Sequence, residues 1–120
     1  MLVYYSSFSG NVRRFADRLP AHFEVYSIDE HPKAAGPFIL LTYTFGFGIV
    51  PEPVEKWLKE NGDLIRGVAA SGNRNWGGFY GRAGDIIAAQ YHVPLLLKFE
   101  LSGTQSDTEE LIRKAALLDE

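Results

Sequence analysis

The strongest constraint on this chain is a set of short runs that are apolar at almost every position, separated by segments whose apolar residues recur at helical spacing. Phe38 to Tyr43 is one such run, Val68-Ala69-Ala70 is another, and Leu95 to Phe99 is interrupted only by Lys98. A strand with one face in water alternates apolar and polar residues. A strand without alternation is buried on both faces, the situation of a parallel sheet covered by helices on its two sides.

The periodic segments fall between these runs. Leu2 to Tyr5 leads through Ser6-Ser7-Phe8-Ser9-Gly10-Asn11 to Val12, Phe15, Ala16 and Leu19, which reads as strand, polar loop and helix. After Phe38 to Tyr43 comes a glycine-containing loop, then Pro51 at a position suited to a first helical turn, then Val54, Trp57 and Leu58. Val68-Ala69-Ala70 passes through a Gly/Asn-rich loop into Ala83, Ile86 and Ile87. Leu95 to Phe99 passes through Gly103 into a helix predicted to begin at Ser106, with Glu109 completing a capping box. A strand near Phe23 to Ile28 brings the count to five, and the pattern predicts a doubly wound α/β fold. Asp29 to Gly36 is short for a parallel crossover and contains Pro32, so the helix expected there is missing or reduced to a turn.

With 120 residues, 46% of them hydrophobic, the chain is expected to form a single domain over residues 1–120. It contains no cysteine, so redox chemistry has to come from a bound cofactor rather than from thiols or thiolate-held metal. A net charge of -3 gives no global attraction to nucleic acid or acidic lipid. No apolar run approaches the length that spans a bilayer, and Met1 to Tyr4 enters a strand without a basic leader, so the expected location is the cytoplasm.

In open α/β sheets, ligands bind beyond the carboxyl ends of the strands, and three loops there are polar and glycine-bearing. Ser6 to Asn11 offers three hydroxyls, an amide and successive backbone N–H groups ahead of a helix, which suits a phosphate. The same serines also suit a turn and a helix cap. No Walker lysine and no G-x-G-x-x-G is present, which favours a monophosphate over a nucleoside triphosphate or a dinucleotide. The second loop, Thr42 to Ile49, carries Tyr43, Phe45 and Phe47 with Gly46 and Gly48; the third, Ser71 to Phe79, carries Trp76 and Phe79 among small and amide residues. Aromatics at loops stack on a planar ring, or fold back into the core; three such loops together point to one flat, phosphorylated ligand.

Other chemistries lack their residues. Val3, Tyr4, Tyr5 and Ser6 stand where a receiver domain needs acids, and a low-molecular-weight phosphatase needs a cysteine. His22, His31 and His92 have no metal-ligand spacing, and Arg13, Arg14 and Arg18 read as a solvated helix face or part of a contact surface.

The first loop resembles the phosphate loop of flavodoxins. Gly67 to Asp85 (GVAASGNRNWGGFYGRAGD) and Lys98 to Asp107 (KFELSGTQSD) resemble the NrdI family over essentially the whole chain. The resemblance implies a flavodoxin-like three-layer sandwich: a five-stranded parallel sheet with helices on both faces. It implies one non-covalent flavin mononucleotide (FMN), with its phosphate at Ser6, Ser7, Ser9, Gly10 and Asn11. Thr42, Tyr43, Gly46 and Phe47 on one side, and Asn73, Trp76 and Phe79 on the other, would surround the isoalloxazine ring, with Leu101, Gly103 and Thr104 as a third wall. Val12 stands where flavodoxins often end the phosphate loop with threonine. No catalytic side chain or metal of the chain's own is implied. In the family, reduced flavin reacts with oxygen and the superoxide formed passes to the dimanganese small subunit of a class Ib ribonucleotide reductase. There it drives assembly of the tyrosyl radical cofactor; an unidentified reductase supplies the electrons. A generic flavodoxin-type electron shuttle is the alternative, and a non-redox module that binds a phosphorylated ligand is a third reading. Arg74, Asn73 and Asn75 would line the exit for the oxidant.

Overall fold

Because Phe38 to Leu41 have no polar side to turn to water, all four are completely buried, and their strand lies at the centre of the sheet. The computed structural model describes residues 1–118, so the expected 1–120 span ends two residues outside the described ones. Five strands, β1 (Leu2–Tyr5), β2 (Glu24–Ser27), β3 (Phe38–Tyr43), β4 (Ile65–Gly72) and β5 (Leu95–Glu100), pair in parallel in the order β2-β1-β3-β4-β5. Strand order reverses between β1 and β3, and the loops after these two strands diverge there.

The helices are α1 (Asn11–Asp17), α2 (Glu52–Asn61), α3 (Arg82–Tyr91) and α4 (Gln105–Leu117), with short 3₁₀ segments at Gly62–Leu64 and Arg74–Phe79. They divide the core in two. On one face Val3, Ile39, Leu41, Ala69 and Phe99 meet Val12, Phe15 and Ala16 of α1 and Leu111 and Ala115 of α4. On the other, Tyr4, Phe38, Leu40 and Val68 meet Val54, Trp57 and Leu58 of α2 and Ile87 of α3. Successive residues of one strand therefore serve opposite cores, the reason these strands read as unbroken apolar runs.

The connection from β2 to β3 carries no helix, as its length and Pro32 predict. Side chains of α2 satisfy its backbone instead. Asn61, buried, accepts from Ala34 N–H at 2.8 Å and donates to Pro32 O at 3.0 Å, while Trp57 Nε1 donates to His31 O at 2.8 Å. The Tyr4 hydroxyl accepts from Ala35 N–H at 2.9 Å. A ten-residue segment is thus held to the sheet face by polar groups where a helix would use an apolar stripe.

Two helix starts differ from the sequence expectation. Pro51 precedes α2 as its cap residue, and Pro53 occupies the first turn. The capping box of α4 is formed by Thr104 and Asp107, not by Ser106 and Glu109: Asp107 N–H donates to Thr104 Oγ1 at 3.2 Å, and Thr104 N–H donates to Asp107 Oδ2 at 2.8 Å. Gly103, at φ 70°, turns the chain immediately before Thr104 and so selects the earlier of two similar signals. Thr104→Ala is expected to lower unfolding stability by about 1 kcal/mol, read as a lower urea midpoint, and Ser106→Ala to leave it unchanged. Equal losses from both substitutions would count against this cap.

Candidate functional site

A cleft of about 210 Å³ opens beyond the carboxyl ends of β1, β3, β4 and β5. Among the sequence-predicted residues, Ser7, Ser9, Asn11, Tyr43, Gly46, Asn73, Trp76, Phe79 and Leu101 line it. Phe8, Val12, Thr44, Phe45, Ser71 and Gly72 line it as well; they lie beside the predicted residues in the same loops and at the end of β4, which is the signal that would have included them. Ser6, Gly10, Thr42, Phe47, Gly103 and Thr104 do not line it. Ser6 and Thr42 are buried beneath, with Ser6 N–H donating to Leu41 O at 3.0 Å and the Thr42 hydroxyl to Tyr43 O at 2.9 Å. Thr104 spends its side chain on the α4 cap.

The first loop is arranged by its own polar groups. Ser7 Oγ accepts from Arg13 N–H at 3.3 Å, Ser9 Oγ from Asn11 Nδ2 at 3.2 Å, and Asn11 Oδ1 from Arg14 Nη2 at 2.7 Å. The N–H groups of Phe8, Ser9, Gly10 and Asn11 donate to no acceptor among the described residues. Gly10 has φ 90°, and a Cβ there would come within 2.9 Å of Arg14 Nη1, so the guanidinium lies over the glycine. Unpaired N–H groups beside a cation favour an anion. Arg13, Arg14 and Arg18 are all exposed, as a solvated face predicts, but Arg14 and Arg18 also bind groups of neighbouring loops. Arg13 lies 4.0 Å from Asp17, while Arg18 donates to Ser102 O and, at 3.3 Å, to Thr108 Oγ1.

The second loop turns back on itself. Phe45 and Ile49 exchange backbone hydrogen bonds of 3.0 and 2.9 Å, and Phe47 sits at the tip between Gly46 (φ 51°) and Gly48 (φ 86°). The Thr44 hydroxyl is buried against the cleft with no hydrogen-bond partner among the described residues. Burial, reinforced by the charge of Asp29, pushes the Tyr43 phenol up, so this residue is a neutral hydroxyl at ordinary pH.

In the third loop Asn73 Oδ1 accepts from Asn75 N–H at 2.9 Å, and the Trp76 ring stands edge-on to Phe47 at 5.3 Å. Trp76 is 46% exposed, so it is not a core residue; the buried tryptophan is Trp57. Arg74 corrects another expectation. Its guanidinium lies 5.6 Å over the Tyr80 ring, its backbone N–H donates to Glu100 Oε2 at 3.2 Å, and neither Arg74 nor Asn75 lines the cleft. The histidines are scattered, with His31 against Tyr26 and His22 against Phe23, and no cluster of metal-ligating side chains exists among the described residues.

Phe8, Phe45, Phe47, Ile49, Trp76, Phe79 and Leu101 are all exposed around the mouth of the cleft, and Leu117 is the one large exposed hydrophobic residue elsewhere among the described residues. Such a concentration marks a binding surface. An anion cradle at one end, aromatic walls at the other and an orphaned hydroxyl at Thr44 fit a flat ring that carries one phosphate through a short linker. No helix among the described residues is long and apolar enough to cross a membrane.

Comparison with known proteins bears on these residues. The family described as NrdI Flavodoxin like matches residues 3–113. The SPbeta prophage-derived protein NrdI of Bacillus subtilis (strain 168) is 47% identical over 117 residues, spanning 96% of this chain and 91% of the relative. Protein NrdI of Macrococcus caseolyticus (strain JCSC5402) is 43% identical over 120 residues, spanning 100% of this chain and 92% of its own. A short-chain flavodoxin associated with a bacterial microcompartment superimposes with a TM-score of 0.73 at 21% identity, over 98% of this chain and 95% of that one, which establishes the shared fold.

Proposed function

The chain belongs to the NrdI flavodoxin-like family, and on that premise we propose that it binds one FMN and acts as a redox activator of a class Ib ribonucleotide reductase. The observation that carries the reading is the meeting, in one cleft, of an anion cradle with a ring of exposed aromatics. The unpaired N–H groups of Phe8 to Asn11, the hydroxyls of Ser7 and Ser9, and Arg14 would hold the phosphate. Ser6 and Gly10 support the loop from below and at the helix start, and Trp76, Phe79, Tyr43 and Phe45 would flank the ring. Thr44 supplies a hydroxyl without an internal partner, available to a polar edge of the ring. When bound there, FMN would supply electron transfer to oxygen, and with it the superoxide needed to build the tyrosyl radical at the dimanganese site of the reductase small subunit. The residues of this chain bind the nucleotide, keep the walls of the ring apolar, and present the hydrophobic rim on which the small subunit docks. An unidentified reductase would provide the electrons.

The test is to mix the reduced, FMN-loaded protein with oxygen and a manganese-loaded class Ib small subunit and follow tyrosyl radical by electron paramagnetic resonance. Radical is expected only with all components present, and superoxide dismutase should inhibit it only partly if the oxidant passes within a complex. A protein that reduces unrelated acceptors readily, yet supports no radical formation with its own cell's small subunit, would be an electron shuttle instead.

A further inference from the structure

Only two described residues other than glycine have positive φ, and one of them, Leu101 at φ 54°, lines the cleft. Gly103 N–H donates to Glu100 O at 2.8 Å, which closes a β-turn with Leu101 and Ser102 at its centre. Ser102 is not among the positive-φ residues, so the positive value stands at the first central position alone. Turns of that pattern put glycine there, because a Cβ crowds the neighbouring backbone. A γ-branched side chain in this place is strained.

Strain of this kind persists when the surroundings over-determine the conformation. Three hydrogen bonds hold this turn. Leu101 N–H donates to Gly72 O at 3.0 Å, the Ser71 hydroxyl donates to Leu101 O, and Arg18 of α1 donates to Ser102 O. Ser71 is 4% exposed and stands at the end of β4, so its hydroxyl is a fixed clamp rather than a mobile surface group. The clamped residue gains nothing for the core: the Leu101 side chain is 49% exposed, and it projects among the cleft-lining residues opposite the first loop. A half-exposed leucine in a glycine conformation is retained against its own backbone preference, which calls for a role outside the packing of the protein alone.

We propose that Ser71 is a positioning residue that locks Leu101 in the left-handed conformation, so that the Leu101 side chain forms a preset apolar wall of the ligand cleft. The inference rests on the flavin reading of that cleft and adds the device that fixes one of its walls. An apolar edge set before the ligand arrives spares the ordering cost of forming it at binding and keeps water from that side of the ring.

The test separates strain from packing. In ligand-free protein, Leu101→Gly is expected to unfold at the same urea midpoint as the parent or a higher one, because glycine adopts positive φ freely. In FMN titrations the same variant is expected to bind about tenfold more weakly, through loss of the wall. Ser71→Ala should also weaken FMN binding, and the double variant should bind no more weakly than Leu101→Gly alone, since the hydroxyl acts through Leu101. A lower midpoint for ligand-free Leu101→Gly would make Leu101 an ordinary packing residue, and additive losses in the double variant would place Ser71 in some other role; either overturns the proposal. Unchanged FMN affinity in Leu101→Gly overturns it while leaving the flavin reading intact. Failure of the parent to bind FMN removes the flavin reading, and this inference with it.

Discussion

Phe99→Ala is expected to lower unfolding stability by about 3–5 kcal/mol, a large part of what a domain of this size possesses. Phe99 and Phe15 are both completely buried, with rings stacked at 4.1 Å and only 17° between planes, joining β5 to α1. Removing one ring leaves a cavity that the surrounding Val3, Leu41 and Leu111 fill poorly, because each is fixed by its own strand or helix. Phe99→Leu, which keeps most of the volume, should cost under about 1.5 kcal/mol. The effect reaches the cleft. A Cβ on Gly103 would stand 2.8 Å from Phe15 and 3.2 Å from Phe99, so these rings are the floor on which the turn at Leu101 rests. Urea unfolding followed by circular dichroism gives the stabilities, and a loss below about 1 kcal/mol for Phe99→Ala would show that the core collapses onto the gap.

The second large effect is on the ligand rather than the fold. Trp76→Ala is expected to leave stability within about 1 kcal/mol of the parent, because the ring is half-exposed and stands edge-on to Phe47, itself exposed, across the cleft mouth. The same change should weaken FMN binding by roughly 1–3 kcal/mol, the range for loss of an aromatic platform beneath a planar base. It should also alter the flavin absorption bands and abolish the tryptophan quenching expected when FMN binds the parent. In ligand-free protein the two substitutions therefore separate, Phe99→Ala losing stability and Trp76→Ala keeping it. A Trp76→Ala protein that unfolds several kcal/mol earlier and keeps full FMN affinity would contradict the exposed position of this ring.

Much of this architecture was readable from residue order. Phe38 to Leu41 and Val68 to Ala70 announce a sheet covered on both faces because neighbours in each strand feed separate cores. Pro32 and the short span from Asp29 to Gly36 announce the missing helix. Features made by long-range contact were not readable. Arg18 looks like any helix-surface arginine until Ser102, 84 positions away, is brought beneath it. Arg14 and Asn11 are spaced for contact, but their bearing on the anion cradle needs the φ of Gly10. Leu101 lies two residues beyond the predicted strand Leu95 to Phe99, and nothing local signals its left-handed backbone. The start of α4 failed for a different reason: Thr104 with Asp107 and Ser106 with Glu109 carry the same chemical signal two residues apart, and the turn at Gly103 chooses between them.

The two outer strands of the sheet carry one more consequence. An open sheet edge is a template onto which another chain can add a strand, the first step of amyloid-like aggregation. Here β2 is only four residues long and begins with exposed Glu24, while β5 starts after Pro94 and has Leu96 O taken by the Lys114 ammonium at 2.9 Å. Both borders therefore resist strand addition, and the sticky surface of the molecule is confined to the loop end of the sheet. Self-association is expected to run through the exposed aromatics at the cleft mouth, so a molecule that fills this mouth should also protect the protein from aggregation.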